Sequence, residues 1–289
     1  MVLPNREVRN TVRARNSGLR ELGTIAVNVS EFSVCDERGS IQVHIAASTR
    51  SLWDLAFPAA CLQIQELGFD KVEIWLNEDY DQLKPSKVAI DPETSAGLLK
   101  EASRLSPAAI FLESEVDMPT FSGIIRFAKL LRVAQLTILA SPKGTPFNTE
   151  IDRLRERNTL CHQAGIRLSI VTKSGTLTED PHTAVELCQS VKGMGITLDP
   201  SYYICRPGGY LEHDIVYPHV LHLQLRDTSP TEIQVLGGLG DVDYNRIVAM
   251  LRQHGYLRSL SVDLLPRTME GEDRLREMRK LRLLLTSLL

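Results

Sequence analysis

Polar and apolar side chains alternate along residues 220–227, which read Val-Leu-His-Leu-Gln-Leu-Arg-Asp. Alternation with a period of two is typical of a β-strand with one apolar face and one polar face. His222, Gln224 and Arg226 share the polar face, so we expect them to point together into a closed interior and to bind a polar ligand. For His222, the deepest of the three, an alternative stays open: it is a polar core residue held by hydrogen bonds to its neighbours.

Two other predicted strand segments each end in an aspartate. The segments GITLD and SVD place Asp199 and Asp263 two residues after Thr197 and Ser261, which gives both carboxylates the inward direction of their strands. They are therefore candidates for catalysis in the same polar interior. The alternative for each is a carboxylate that caps the next loop or pairs with an arginine such as Arg226.

Two features after the candidate strands suggest binding of an anion. The glycine-rich segment 237–243 precedes a helix, and such backbone can approach an anion closely, although glycine clusters usually serve turn geometry. Lys143 and Lys173 follow two other candidate strands and add positive charge to the same end of the fold. A solvated surface lysine is the alternative for each.

Short β-branched apolar runs alternate with amphipathic stretches from about residue 41 onward, which is typical of successive βα units. No G-x-G-x-x-G follows the first run, so an open dinucleotide-binding sheet is disfavoured. We therefore predict an α/β protein with a (β/α)8 TIM barrel and ligand-binding residues at the carboxyl ends of its strands. The predicted strands are Gln42–Ala46, Lys71–Trp75, Ala109–Glu113, Leu136–Ala140, Arg167–Val171, Gly195–Asp199, Val220–Leu225 and Leu260–Leu264.

The chain has 289 residues, 43% of them hydrophobic and 24% charged, which is enough for one barrel with a packed core. Residues 1–40 fit the βα pattern poorly, and we predict an amino-terminal extension there and the barrel domain over 41–289. A net charge of −3 disfavours nucleic acid as a partner. Five widely spaced cysteines disfavour a disulfide framework, and the absence of a long apolar run disfavours a membrane span, so we expect a cytoplasmic protein.

Four blocks of the sequence, in order, resemble successive blocks of the xylose isomerase-like TIM barrel superfamily. They are Gly195–Tyr202, His222–Asp227, Gly238–Asp243 and Ser261–Asp263. Gly68–Glu73 is similar to the block that leads into strand two, which adds Glu73 to the candidate ligand-binding residues. The superfamily includes sugar phosphate isomerases and epimerases, hydroxypyruvate isomerase, inosose dehydratase and relatives of endonuclease IV.

The resemblance implies a divalent cation (Mn, Mg or Zn) at the barrel mouth, held by a glutamate on strand five, an aspartate on strand six, a histidine on strand seven and a glutamate on strand eight. This sequence departs from that pattern. The four positions are occupied by Val171, Asp199, Gln224 and Asp263, and two further family histidines are replaced by Lys173 and Tyr202. Valine cannot ligate a metal and glutamine offers only a neutral oxygen, so we expect cation affinity to drop sharply.

Three functional hypotheses follow. The first is an isomerase or epimerase for a small polyhydroxylated carbonyl substrate, with residual metal binding by Asp199, Gln224 and Asp263. The second is a metal-free barrel that binds a sugar or sugar phosphate through Lys173, Tyr202, Arg226 and the glycine-rich loop, without turnover or with a rewired acid and base. The third, DNA repair as in the relatives of endonuclease IV, is disfavoured because it needs more metal ligands and a basic surface, and this chain has neither. The resemblance is also compatible with a homo-oligomer, because members of the superfamily are often dimers or tetramers.

Overall fold

The computed structural model of the chain describes residues 43–289. The predicted amino-terminal extension, residues 1–40, lies outside the described residues, and so does Gln42 of the first predicted strand. The described residues span nearly all of the predicted barrel domain, 41–289.

Eight parallel strands form one closed barrel, in which each strand pairs with the next and β8 pairs with β1. This confirms the predicted (β/α)8 TIM barrel. The register of the closing pair sets Ala46 beside Ser261 and Ala47 beside Val262. The strands are β1 His44–Ser48, β2 Lys71–Leu76, β3 Ser106–Leu112, β4 Gln135–Leu139, β5 Arg167–Val171, β6 Gly195–Leu198, β7 Val220–Leu225 and β8 Ser259–Val262.

Helices connect the strands, and their first residues explain where they begin. Asp117 and Asp180 are N-cap residues: their side chains accept hydrogen bonds from the backbone N–H groups of Thr120 (3.0 Å) and Thr183 (2.7 Å). In each case a proline follows within the first two helical positions. Within residues 43–289, no helix is both long and apolar enough to cross a membrane. The helices are α1 Phe57–Glu66, α2 Pro85–Ile90, α3 Pro92–Ala102, α4 Met118–Leu130, α5 Phe147–Gln163, α6 Pro181–Ser190, α7 Ser201–Ile204, α8 Tyr244–Gln253 and α9 Gly271–Leu288.

The two faces of each strand have different environments. On β7, Leu223 and Leu225 are fully buried in the apolar layer between the strands and the helices. His222, Gln224 and Arg226 are buried too, but they hydrogen-bond to side chains from other strands inside the barrel. The predicted alternation on this strand is confirmed.

Hydroxyl groups fill part of the barrel interior below the mouth. The Thr197 hydroxyl lies 2.8 Å from that of Thr137 and 2.7 Å from that of Ser169, and all three residues are fully buried. The Gln135 amide donates to the Ser169 hydroxyl at 2.7 Å. These contacts close the interior across β4, β5 and β6, so ligand-accessible groups lie above them, at the carboxyl ends of the strands.

Candidate functional site

Arg226 joins two carboxylates at the barrel mouth. Its guanidinium bonds to the Asp199 carboxylate, and its Nη1 donates to the Asp263 backbone oxygen (3.0 Å) and carboxylate (3.3 Å). All three side chains are completely buried. The three predicted residues therefore converge as expected, and they form the arginine pairing that the sequence left open as an alternative.

A second arginine, which the sequence analysis missed, holds Asp263 from the other side. Arg50 lies in a short 3₁₀ helix, Thr49–Leu52, directly after β1, where the Ser48 hydroxyl accepts from its backbone N–H. Its Nε donates to Asp263 at 2.9 Å, and its Nη2 bonds to the same carboxylate. Although burial disfavours the charge, Asp263 and Glu113 raise the pKa of Arg50 well above its usual value. Arg50 is thus a permanent buried cation.

Glu113 and Lys173 are the charged pair that reaches solvent. Glu113 follows β3 and accepts hydrogen bonds from Lys173 Nζ (2.8 Å), Trp75 Nε1 (2.8 Å) and Arg50 Nη1 (3.3 Å). Burial alone would raise the pKa of Glu113, but the charges of Arg50 and Lys173 outweigh it and lower the pKa to about 2. The side chains are 14% and 29% exposed, so a ligand at the mouth can touch this pair.

We call these six residues the charged half of the mouth: Arg50, Glu113, Lys173, Asp199, Arg226 and Asp263. Three are cations and three are carboxylates. Every carboxylate lies within hydrogen-bond distance of at least one cation. The charges of this half are therefore balanced by one another, without a bound ion.

A buried pair lies deeper on β2 and β7. His222 Nε2 is 3.1 Å from the Glu73 carboxylate, and the Gln224 amide donates to the other Glu73 oxygen at 2.5 Å. His222 Nδ1 donates to the Ser259 carbonyl (3.0 Å), and its Nε2 also lies 3.1 Å from the Ser261 hydroxyl. Burial would raise the pKa of Glu73, but His222 lowers it. This geometry agrees with the polar-core alternative for His222.

The mouth also has a mainly apolar part, which adjoins the charged half where Trp75 Nε1 donates to Glu113 (2.8 Å). Trp75, Phe111 and Val171 form a buried cluster of their own, and the rings of Trp53 and Tyr80 pack against it closer to solvent. Tyr80 lies 4.7 Å from Trp75 and 5.9 Å from Trp53, between ring centroids. We call these five residues the aromatic half. It was not predicted from the sequence, which identified Val171 only as the residue at the family's strand-five glutamate position.

Arg267 covers the aromatic half from the loop after β8. Its guanidinium lies 5.5 Å from the centre of the Trp53 ring and 5.9 Å from that of Tyr80. Its φ of 61° lies in the left-handed region, which a non-glycine residue adopts only when its surroundings stabilise it. The two cation–π contacts supply part of that stabilisation.

The residues at the family's metal positions do not fit a divalent cation. Val171 belongs to the aromatic half and has no ligating atom. Asp199 and Asp263 are turned onto guanidinium groups, and Gln224, whose amide nitrogen donates to Glu73, offers only one neutral oxygen. Among residues 43–289, no group of three or more His, Cys, Asp or Glu side chains could hold a metal. We therefore assign no chemical step to a metal at this mouth.

Two other predicted ligand-binding residues have different environments. The Tyr202 ring, on α7, lies 5.5 Å from the Arg226 guanidinium, which places it at the charged half, and burial raises its pKa. Lys143 is on the surface instead: its side chain is 70% exposed and its Nζ lies 2.5 Å from Glu179. Lys143 hydrogen-bonds to neither half of the mouth.

The glycine-rich loop between β7 and α8 already has an acceptor for its backbone donors. The Asp227 carboxylate accepts from the N–H groups of Gly238 (2.6 Å) and Gly240 (3.1 Å), and Glu277 accepts from Gly237 (2.7 Å). These donors are therefore not free for a ligand. This arrangement agrees with the alternative that the glycine cluster serves turn geometry.

Comparisons with solved structures agree on the fold. The chain is similar to a xylose isomerase-like TIM barrel protein from Mycobacterium smegmatis in complex with magnesium, with 17% identity over 86% of this chain and 98% of that one and a TM-score of 0.67. It is also similar to D-psicose 3-epimerase with D-tagatose from Clostridium cellulolyticum H10 (10% identity, 85% and 99% coverage, TM-score 0.64).

A third similar structure is the probable 3-DHS dehydratase AsbF from Bacillus anthracis, with 15% identity, 85% and 99% coverage and a TM-score of 0.64. No protein-family profile and no curated protein sequence matches this chain. The barrel therefore has the xylose isomerase-like fold, as the sequence blocks suggested, and its function rests on its own residues.

Proposed function

We propose that the barrel mouth binds a small polyhydroxylated carbonyl compound, such as a simple sugar, without a divalent metal. One observation carries the proposal: Arg226 and Arg50 hold Asp199 and Asp263 in buried ion pairs at the positions where the superfamily binds its cation. A similar barrel contains D-tagatose, which supports a sugar as the class of ligand.

The two halves of the mouth suit the two kinds of surface that a sugar presents. Lys173 and Glu113 offer partly exposed hydrogen-bond donors and acceptors for hydroxyl groups. The rings of Trp53 and Tyr80, both half-buried, offer apolar area for the C–H face of a sugar. An apolar pocket wall with a few placed polar groups is the usual composition of a small-molecule site.

The charges of the mouth favour binding over turnover. A general base works best when its pKa is near the operating pH, and Glu113, with a pKa of about 2, is a weak base at neutral pH. Asp199 and Asp263 are fully buried in their ion pairs, so they have no accessible oxygen for a substrate proton. Proton transfer at a substrate carbon would therefore need these pairs to separate.

The second candidate function is isomerisation or epimerisation with a general acid and base at other positions than in the superfamily. It is favoured by Lys173 and Glu113, a partly exposed ammonium and carboxylate 2.8 Å apart in the mouth. An assay for conversion of D-tagatose to its epimers in the presence of a chelator separates the two candidates, because only the second yields product.

Binding is tested by thermal shift with a panel of simple ketoses that includes D-tagatose, with and without a chelator. A ligand specific to the native state raises the melting temperature. We expect stabilisation that survives the chelator, is lost in Lys173→Met and is weakened in Trp53→Leu. Lys143→Met is the matched control, because it changes an exposed lysine outside the mouth. We expect this variant to show the same ligand-induced rise in melting temperature as the wild type. Stabilisation that requires added metal, or that persists in Lys173→Met, contradicts the proposal.

A further inference from the structure

Three backbone donors converge on the carboxylate of Asp227, the residue that follows Arg226 at the end of β7. Gly238 N–H (2.6 Å) and Gly240 N–H (3.1 Å) donate to one carboxylate oxygen, and Thr228 N–H donates to the other at 3.0 Å. Asp227 is only 2% exposed. Its charge is thus held by the backbone N–H groups of its own loop, which we call the β7–α8 cradle (Thr228, Gly238 and Gly240).

The cradle depends on close approach of the backbone. Gly238 has a φ of +85°, which favours glycine. A Cβ atom at Gly240 would overlap an Asp227 carboxylate oxygen and would lie 2.6 Å from the Thr228 carbonyl oxygen. Only glycine fits at Gly240 without displacing this loop, so the loop is shaped around the carboxylate.

Backbone N–H groups that converge in this way bind anions, and the loops after strands seven and eight are a frequent phosphate site in (β/α)8 barrels. We infer that Asp227 occupies the β7–α8 cradle with its own carboxylate and thereby restricts the mouth to unphosphorylated ligands. A phosphate entering the cradle would meet a fixed negative charge and no free donor. The inference rests on the proposed function, because it names the class of ligand for the same mouth.

The charged half supports the same restriction. Its three cations are matched by its three carboxylates, so it offers no uncompensated positive charge to a phosphate. Arg267 is the remaining cation described at the mouth, and its guanidinium lies over Trp53 and Tyr80. Tight binding of phosphate esters through Arg267 is the outcome that would overturn the restriction.

The cradle is tested by chemical rescue in Asp227→Ala. Without the carboxylate, three buried N–H groups lose their acceptor, so we expect a lower melting temperature. Formate is a carboxylate small enough to take the place of the missing Asp227 carboxylate in the cradle. It should therefore raise the melting temperature of Asp227→Ala by several degrees more than chloride does at equal ionic strength. Formate should act like chloride on the wild type and on Asp241→Ala, which changes an exposed acid of the same loop. Equal responses of Asp227→Ala and Asp241→Ala to formate would overturn the cradle.

Asp227→Asn keeps the shape and one acceptor oxygen, and it serves if Asp227→Ala does not fold. Its loss of the charge should lower the melting temperature, whereas no change from wild type would show that the negative charge is not what the cradle holds.

The ligand class is tested by calorimetric titration with D-tagatose and D-tagatose 6-phosphate. We expect the wild type to bind the free sugar at least about tenfold more tightly than the ester, and Asp227→Ala to shift that ratio toward the ester. Equal or tighter binding of the ester by the wild type overturns the restriction. If neither binds, the proposed function is contradicted for this sugar, and formate rescue alone decides whether the cradle exists.

Discussion

The two halves of the mouth are built by different forces. In the charged half, paired cations and carboxylates lie no more than 3.3 Å apart, and each depends on a partner of opposite charge. In the aromatic half, Trp75, Phe111 and Val171 are held mainly by packing on one another, although Trp75 Nε1 also donates to Glu113. The buried carboxylates of this barrel are therefore stabilised by arginine, whereas its aromatic half is stabilised mainly by burial of apolar area.

The difference predicts how each half tolerates change. Removing one partner of a buried ion pair leaves an uncompensated charge, which is among the most destabilising of single substitutions. Shortening an apolar side chain costs only the lost contact and the cavity. Single substitutions should therefore destabilise the protein more in the charged half than in the aromatic half.

Arg226→Leu should have the largest effect. The substitution leaves the Asp199 and Asp263 carboxylates buried with one guanidinium fewer, so we expect the free energy of unfolding to fall by about 3–5 kcal/mol. Chemical denaturation measures this value. The matched control is Arg246→Leu, which removes an exposed arginine paired with Asp214 and should change nothing measurable. Equal losses in the two variants would remove the distinction between the halves.

Glu113 should make stability depend on acid pH. Its pKa falls from an ordinary 4.5 to about 2 on folding, so its contribution is complete above about pH 5 and is lost as the pH falls from about 4.5 toward 2. That contribution is on the order of 3 kcal/mol. Glu113→Gln should therefore be less stable than wild type at neutral pH, and the free energies of unfolding of the two proteins should converge at about pH 2.

Glu93→Gln is the control for this pH series, because Glu93 is half-exposed in its pair with Arg126. Its curve should run parallel to that of the wild type throughout. Parallel curves for Glu113→Gln as well would show that the ion pairs do not hold this carboxylate in its charged form.

Val171→Ala should have the smallest effect. It removes two buried carbons from the aromatic half and leaves no charge unpaired, so we expect a loss of about 1–2 kcal/mol in the free energy of unfolding. The loss should not vary with pH between about 5 and 2, unlike that of Glu113→Gln. A larger loss than that of Arg226→Leu would reverse the proposed order of the halves.

Much of the charged half was predictable from the sequence. The period of two along residues 220–226 fixed the direction of Arg226, and the same parity brought Asp199 and Asp263 to the mouth. Arg50 was missed because it reaches Asp263 only when the barrel closes between β1 and β8, across 213 residues of sequence. Glu113 was missed as a site residue, although it ended a predicted strand, because its role depends on Arg50.

The sequence was less informative about which donors are already satisfied. The glycine-rich loop was identified as backbone able to approach an anion, but nothing in its spacing showed that Asp227 would accept from it. Lys143 and Lys173 each follow a strand, and only the family resemblance distinguished them, because Lys173 replaces a family histidine. Only the structure shows that Lys173 bonds to Glu113 at the mouth and Lys143 to Glu179 on the surface.

Metal titration of the purified protein shows whether the arginine pairs stand in place of a bound cation. After exposure to excess manganese, magnesium or zinc and removal of free ions, we expect well under one bound ion per chain and a melting temperature that a chelator leaves unchanged. One ion per chain, released by a chelator with a fall in the melting temperature and absent from Asp199→Asn, would show that these carboxylates bind a metal despite their arginine partners.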